Sequence, residues 1–138
     1  MKRKIIIVLL FIILLILFKL SLIKTERKEI EEYLKIVKDY EFDKVEVSLA
    51  QSNPSYPIET KIFEREEDIK EFKNVLKDMT VKERVSEEDQ YISDTSDYFF
   101  YNKDDFVKLR FNGNDTSRIF IKNKLYYVEY KSKSLYDL

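Results

Sequence analysis

The sequence contains no cysteine, no histidine and no tryptophan, with a single glycine and two prolines among its 138 residues. Without cysteine there is no disulfide framework, no thiol nucleophile and no lipid-modified cysteine anchor. Without histidine or cysteine, a serine nucleophile would depend on lysine or a carboxylate as base; no G-x-S-x-G elbow occurs, and the S-x-x-K match Ser21–Lys24 lies at the end of the apolar run. One glycine, Gly113, cannot build a glycine-rich phosphate cradle. Catalysis is therefore not expected, and no catalytic residue or cofactor is assigned.

What the sequence does contain is concentrated at its start. Residues 1–24 read MKRKIIIVLLFIILLILFKLSLIK. Ile5–Phe18 is apolar without interruption, and Leu20–Ile23 extends the run past Lys19. As a helix, residues 5–23 span roughly 28 Å, close to the ~30 Å hydrocarbon core of a bilayer. Lys19 lies near enough to one end to snorkel its ammonium to the headgroups. A cleaved signal peptide would share the basic Lys2-Arg3-Lys4 start but needs small residues at the cleavage site. The segment has no alanine, and Ser21 is its only small residue. A helix packed on a domain this small would keep a polar face, which is missing here. The expectation is an uncleaved, single-pass signal-anchor over residues 1–24, with the cleaved signal next and the core helix last.

Orientation rests on charge. Lys2, Arg3, Lys4 and the terminal amine favour a cytoplasmic N-terminus, while Lys24, Arg27, Lys28, Lys35 and Lys38 follow the span. A short basic cluster ahead of a first hydrophobic segment usually dominates. The expected topology is N-terminus cytoplasmic and domain extracytoplasmic, in the cell membrane.

Residues 25–138 suffice for one domain with its own core. Five of the 25 Lys and Arg lie in residues 1–24, which hold no acid. Residues 25–138 thus carry 20 basic against 26 acidic groups, a net charge of −6. An acidic domain has no bulk electrostatic attraction for nucleic acid or anionic lipid, so no nucleic-acid partner is expected. High Lys, Ile, Tyr, Phe and Asp with one Ala suggests an AT-rich bacterial genome.

Periodicity outlines the domain. Ile30, Tyr33, Leu34, Val37 and Tyr40 recur at helical spacing over Thr25–Tyr40, with Thr25 as a cap or the helix continuing unbroken from the apolar run as a stalk. Phe42–Ala50 alternates as a strand, Gln51–Pro57 is turn-like, and Ile58–Glu64 alternates again, predicting a hairpin. Glu66–Met79 is a second helix with an Ile69, Phe72, Val75, Leu76, Met79 stripe. Its acids come first and Lys73 and Lys77 late, as the helix dipole prefers. Val81–Val85 is an extension or edge strand, and Ser86–Asp97 an acidic loop. Four strands follow, at Asp97–Tyr101, Phe106–Phe111, Arg118–Lys122 and Leu125–Tyr130, with Asn112-Gly113 supplying a turn. The expected fold is α+β: an N-terminal transmembrane helix, then helices packed on an antiparallel sheet, in the order α-β-β-α-β-β-β-β.

The hairpin, the EDIKEFKNVLKDM helix, the acidic loop, the aromatic strands and the closing NKLYYVEYKSKSLY together resemble small membrane-anchored extracytoplasmic domains of Gram-positive bacteria, largely uncharacterised families. The likeness covers about residues 42–136. It implies location and fold and carries over no functional residue.

Oxygen ligands for Ca²⁺ are available at Glu87, Glu88, Asp89, Asp94 and Asp97, at Asp104-Asp105, and at Asn112, Asn114 and Asp115. None has the spacing of a calcium loop, so no metal site is assigned. Asn114-Asp115-Thr116 matches a glycosylation sequon, incidental in a bacterial chain. Twelve of the twenty Phe and Tyr lie beyond residue 90. Neighbours in a strand point to opposite faces, so Tyr98/Phe100 and Phe99/Tyr101 cannot all be core, nor can Tyr126 and Tyr127 share a face. Tyr98, Phe99, Phe100, Tyr101, Tyr126 and Tyr127 are therefore the candidate interaction surface. The expected function is a membrane-tethered, non-catalytic binding module contacting an envelope protein or peptide. The alternative is a structural or assembly subunit, or an immunity-type protein, acting through its membrane helix.

Overall fold

The computed structural model of the chain describes residues 1–50, 58–91 and 94–138. The expected Gln51–Pro57 turn lies outside the described residues.

Two units are described separately. Residues 1–35 belong to one helix, α1, which runs Lys2–Asp39 and is roughly 57 Å long at its full extent. No glycine or proline interrupts it, and every side chain from Met1 to Thr25 is exposed. By length and composition it is sufficient to cross a membrane. Thr25 does not cap a second helix. Its hydroxyl donates to the Ser21 carbonyl one turn back, at 2.9 Å, as a mid-helix threonine does.

Residues 36–138 hold a seven-stranded antiparallel sheet, helix α2 and the last turn of α1. The strands are β1 Lys44–Ala50, β2 Glu59–Phe63, β3 Thr80–Arg84, β4 Thr95–Asn102, β5 Asp105–Asn112, β6 Arg118–Ile121 and β7 Lys124–Glu129. Helix α2 is Glu66–Asp78 and sits between β2 and β3 in the chain. The order across the sheet is β2-β1-β4-β5-β6-β7-β3. The expected hairpin and meander are both present. Thr80–Arg84 is a full edge strand, however, so the described residues hold seven strands rather than six. β4 also begins at Thr95, inside the stretch expected to be loop. Its backbone is drawn into the ladder by β1 and β5, which pair with Thr95 through Ala50 and Asn112.

Because β2 and β3 are opposite edges, α2 must carry the chain across one face. Its apolar stripe, Ile69, Phe72, Val75 and Leu76, is buried there, followed by Met79. The acids Glu66, Glu67 and Asp68 occupy its first turn, and Arg65 pairs with Asp68 at 2.8 Å. At its other end the Lys38 ammonium donates to the carbonyls of Lys77 and Met79 at 3.1 and 2.6 Å. These are backbone acceptors that a helix C-terminus leaves unpaired.

The core is the sheet face under α2. Val45, Val47, Tyr98, Phe100, Leu109, Phe111, Ile119 and Tyr126 line it, all buried. Phe72 meets Phe63 and Phe100 at ring-centroid distances of 5.1 and 6.2 Å, and Phe42 meets Phe100 at 4.9 Å. The C-terminal turn Leu135–Asp137, closed by a Ser134–Asp137 capping box, buries Leu135.

Candidate functional site

Register decides which aromatic residues are core. β1 sets Val45 opposite Phe100 and Val47 opposite Tyr98, so Tyr98 and Phe100 join the valines beneath α2. Phe99 and Tyr101 therefore stand on the outer face with Glu46 and Lys44. β4 and β5 are joined by the two-residue turn Lys103-Asp104, with Lys103 at φ 56°. That turn sets Phe106 opposite Tyr101 and Lys108 opposite Phe99.

The result is a cluster of three rings on the outer face. Phe106 lies 5.6 Å from Phe99 and 5.5 Å from Tyr101, and Phe99 stacks on Tyr101 at 6.2 Å. Phe106 is 52% exposed. Two ammonium groups frame the cluster, Lys44 over Tyr101 at 4.5 Å and Lys108 near Phe99 at 5.5 Å, both within cation–π range. Below them Arg110 holds both oxygens of Asp97 at 2.7 and 2.8 Å, and Lys108 approaches the same carboxylate at 3.5 Å. Burial opposes ionisation of Asp97, but the hydrogen bond and charge of Arg110, with Lys108, outweigh it and hold the carboxyl below the usual range. Asp97 thus keeps two cations ordered beside the rings.

Of the six residues singled out from the sequence, Tyr98, Phe100 and Tyr126 are packed inside. Phe99, Tyr101 and Tyr127 are half-exposed on the outer face. Tyr127 pairs with Arg118, three strands from Phe99, which is about 14 Å across the sheet before any offset along the strands, so it does not join the cluster. That end of the outer face is occupied: Arg118 donates to the Asp89 carbonyl and stacks on Tyr91 at 4.7 Å, and Leu125 on the same face is buried. Asp89 and Tyr91 of the acidic segment thus cover the Arg118 end of the outer face, while Phe106 at the β4–β5 turn stays uncovered. Phe106, Lys44 and Lys108 were missed in the sequence. The signal for Phe106 was the short polar Asn102–Asp105 stretch, which as a two-residue hairpin loop forces it opposite Tyr101.

Among the described residues no group of three or more acidic side chains converges to hold a metal ion. An apolar cleft lined by Val47, Leu49, Phe63, Phe72, Tyr98 and Leu135 encloses only about 70 Å³, well below the few hundred Å³ of a small-molecule site. A more open, polar hollow of about 250 Å³ lies beside the ring cluster, lined by Asp43, Lys44, Glu64, Tyr101 and Lys103. Within the sequon Asn114 is half-buried and Thr116 fully buried at φ 57°. Comparison with protein-family models, with curated proteins and with solved structures found no match to this chain.

Proposed function

We propose that this protein is a non-catalytic binding module, anchored in the cell membrane by residues 5–23 with its domain on the extracytoplasmic side. The uncovered cluster of Phe99, Tyr101 and Phe106 is the docking surface for an envelope protein or peptide. The observation that carries this reading is the cluster itself: three rings framed by Lys44 and Lys108, the latter held by Asp97, on a face whose other end is covered. Large aromatic side chains with cationic neighbours are the residue types that anchor protein interfaces. The α1 helix, apolar on every side through residues 5–18, supports the anchor.

Two measurements test the reading. The chain should remain with membranes through carbonate washing and retain Met1, and protease added to intact spheroplasts should digest its domain. Crosslinking from native membranes should capture a partner with the natural sequence and lose it with Phe99→Ser/Tyr101→Ser. Release by carbonate, or a partner captured equally by both chains, overturns the corresponding half.

A further inference from the structure

The two edges of the sheet are unlike. β3 places Lys82, Glu83 and Arg84 in succession and loses register between Val81 and Arg84. Consecutive charges and an irregular ladder are the devices that stop an edge from adding another strand. β2 has neither. It pairs with β1 through five consecutive residues in unbroken register, and its other side is the sheet's open edge among the described residues.

The sequence of that edge is self-complementary. Ile58-Glu59-Thr60-Lys61-Ile62 reads apolar, acid, threonine, base, apolar about Thr60. Pairing it antiparallel with a second copy, about a two-fold axis at Thr60, sets Ile58 against Ile62, Glu59 against Lys61 and Thr60 against Thr60. Moving the axis to residue 59 sets Glu59 against Glu59, and moving it to residue 61 sets Lys61 against Lys61. Like charges directly opposite are destabilising and opposite charges favourable, so one register is selected. The residues that would pair are uncovered: Ile58 and Ile62 are 66% and 59% exposed. Glu59 and Lys61 lie 3.9 Å apart on the same side of the strand, so the dimer would bring four alternating charges together.

We propose that β2 is a self-pairing edge, and that two copies of this chain join through it into one continuous antiparallel sheet. The interface is isologous, as a two-fold dimer requires. Ile62 lies in register with Glu46 and Phe99, so the isoleucines share the outer face with the aromatic cluster. Pairing unites two such faces across the axis. The proposal goes beyond partner binding and stands without it, because it rests on the edge and not on the rings.

The absence of cysteine makes the test direct. Across the axis, paired Thr60 Cα atoms fall about 4.5–5.5 Å apart, within disulfide reach. Mild oxidation of the full chain in detergent micelles should convert Thr60→Cys largely to a covalent dimer and leave Lys82→Cys, on the other edge, uncrosslinked. A mixture of Glu59→Cys and Lys61→Cys chains should crosslink several times more than either alone. Glu59→Lys should shift the uncrosslinked chain from dimer to monomer with its circular-dichroism spectrum preserved, and Glu59→Lys/Lys61→Glu should restore the dimer. Equal crosslinking at residues 60 and 82, no crosslinking at 60, or a dimer indifferent to Glu59→Lys, as helix-driven association would give, overturns the proposal.

Discussion

Phe99 and Phe100 are adjacent in the chain and stand on opposite faces of the sheet. Phe99 lies 5.6 Å from Phe106 on the outer face, whereas Phe100 lies 4.9 Å from Phe42 in the core. Paired substitutions should therefore separate folding from surface. Tyr98→Ser/Phe100→Ser should unfold the domain, since truncating one buried phenylalanine already costs about 3–5 kcal/mol. Phe99→Ser/Tyr101→Ser should leave it folded, losing about 1–2 kcal/mol of ring–ring and partial burial energy. Urea unfolding of the full chain in micelles checks both; equal losses would mean that all four rings are core.

Phe72 is the point at which α2 touches the sheet, with rings of Phe63 and Phe100 on either side. Phe72→Ala should destabilise by about 3–5 kcal/mol, through lost burial and the cavity left behind. Phe72→Leu should recover more than half of that. An unchanged urea midpoint for Phe72→Ala would refute the packing of α2 on this face.

Lys38 should contribute through hydrogen bonds more than through charge. Its ammonium joins the end of α1 to the last carbonyls of α2, and burial lowers its pKa. Lys38→Met keeps the stem and removes the donors, and should cost about 1 kcal/mol at this partly exposed position. Hydrogen exchange at the C-terminal turn of α2 should accelerate more than exchange in β4. Uniform acceleration would indicate a global effect rather than a lost cap.

Alkaline pH should reveal phenols that burial keeps protonated, Tyr98 and Tyr130 among them. Burial pushes the Tyr130 hydroxyl up to about 12, and burial raises Tyr98 as well. Both folded-state values lie above the unfolded value near 10, so the folded chain binds the proton more tightly. This stabilisation is complete below pH about 10 and is lost as pH rises through about 12. Tyrosinate absorbance should show a late-titrating class that merges with the rest on unfolding, and Tyr130→Phe should shrink it. Titration of all ten tyrosines in one step near 10 would contradict that burial.

Helical periodicity located α2 and its stripe, because Ile69, Phe72, Val75 and Leu76 repeat within one helix and need no distant partner. Alternation likewise placed β1, β2 and the meander to within a few residues. It could not choose between Tyr98/Phe100 and Phe99/Tyr101, since both pairs are equally apolar. The choice is made by Val45 and Val47, about fifty residues earlier, through the β1–β4 register. The same limit applies to β2. Ile58 and Ile62 form its more apolar side, yet they face outward, because Phe63 takes the inner position against Phe72.

The sequence by itself determined the apolar helix, the α+β class and the local elements, since these follow from short-range spacing, length and backbone propensity. Only the tertiary structure decided which aromatics are core, that Thr80–Arg84 is an edge strand opposite β2, and that Asp89 and Tyr91 cover the Arg118 end of the outer face while Phe106 stays uncovered. Those outcomes depend on strand pairings between residues far apart in the chain. A one-residue change of register reverses every side chain's face, and no local pattern encodes that choice.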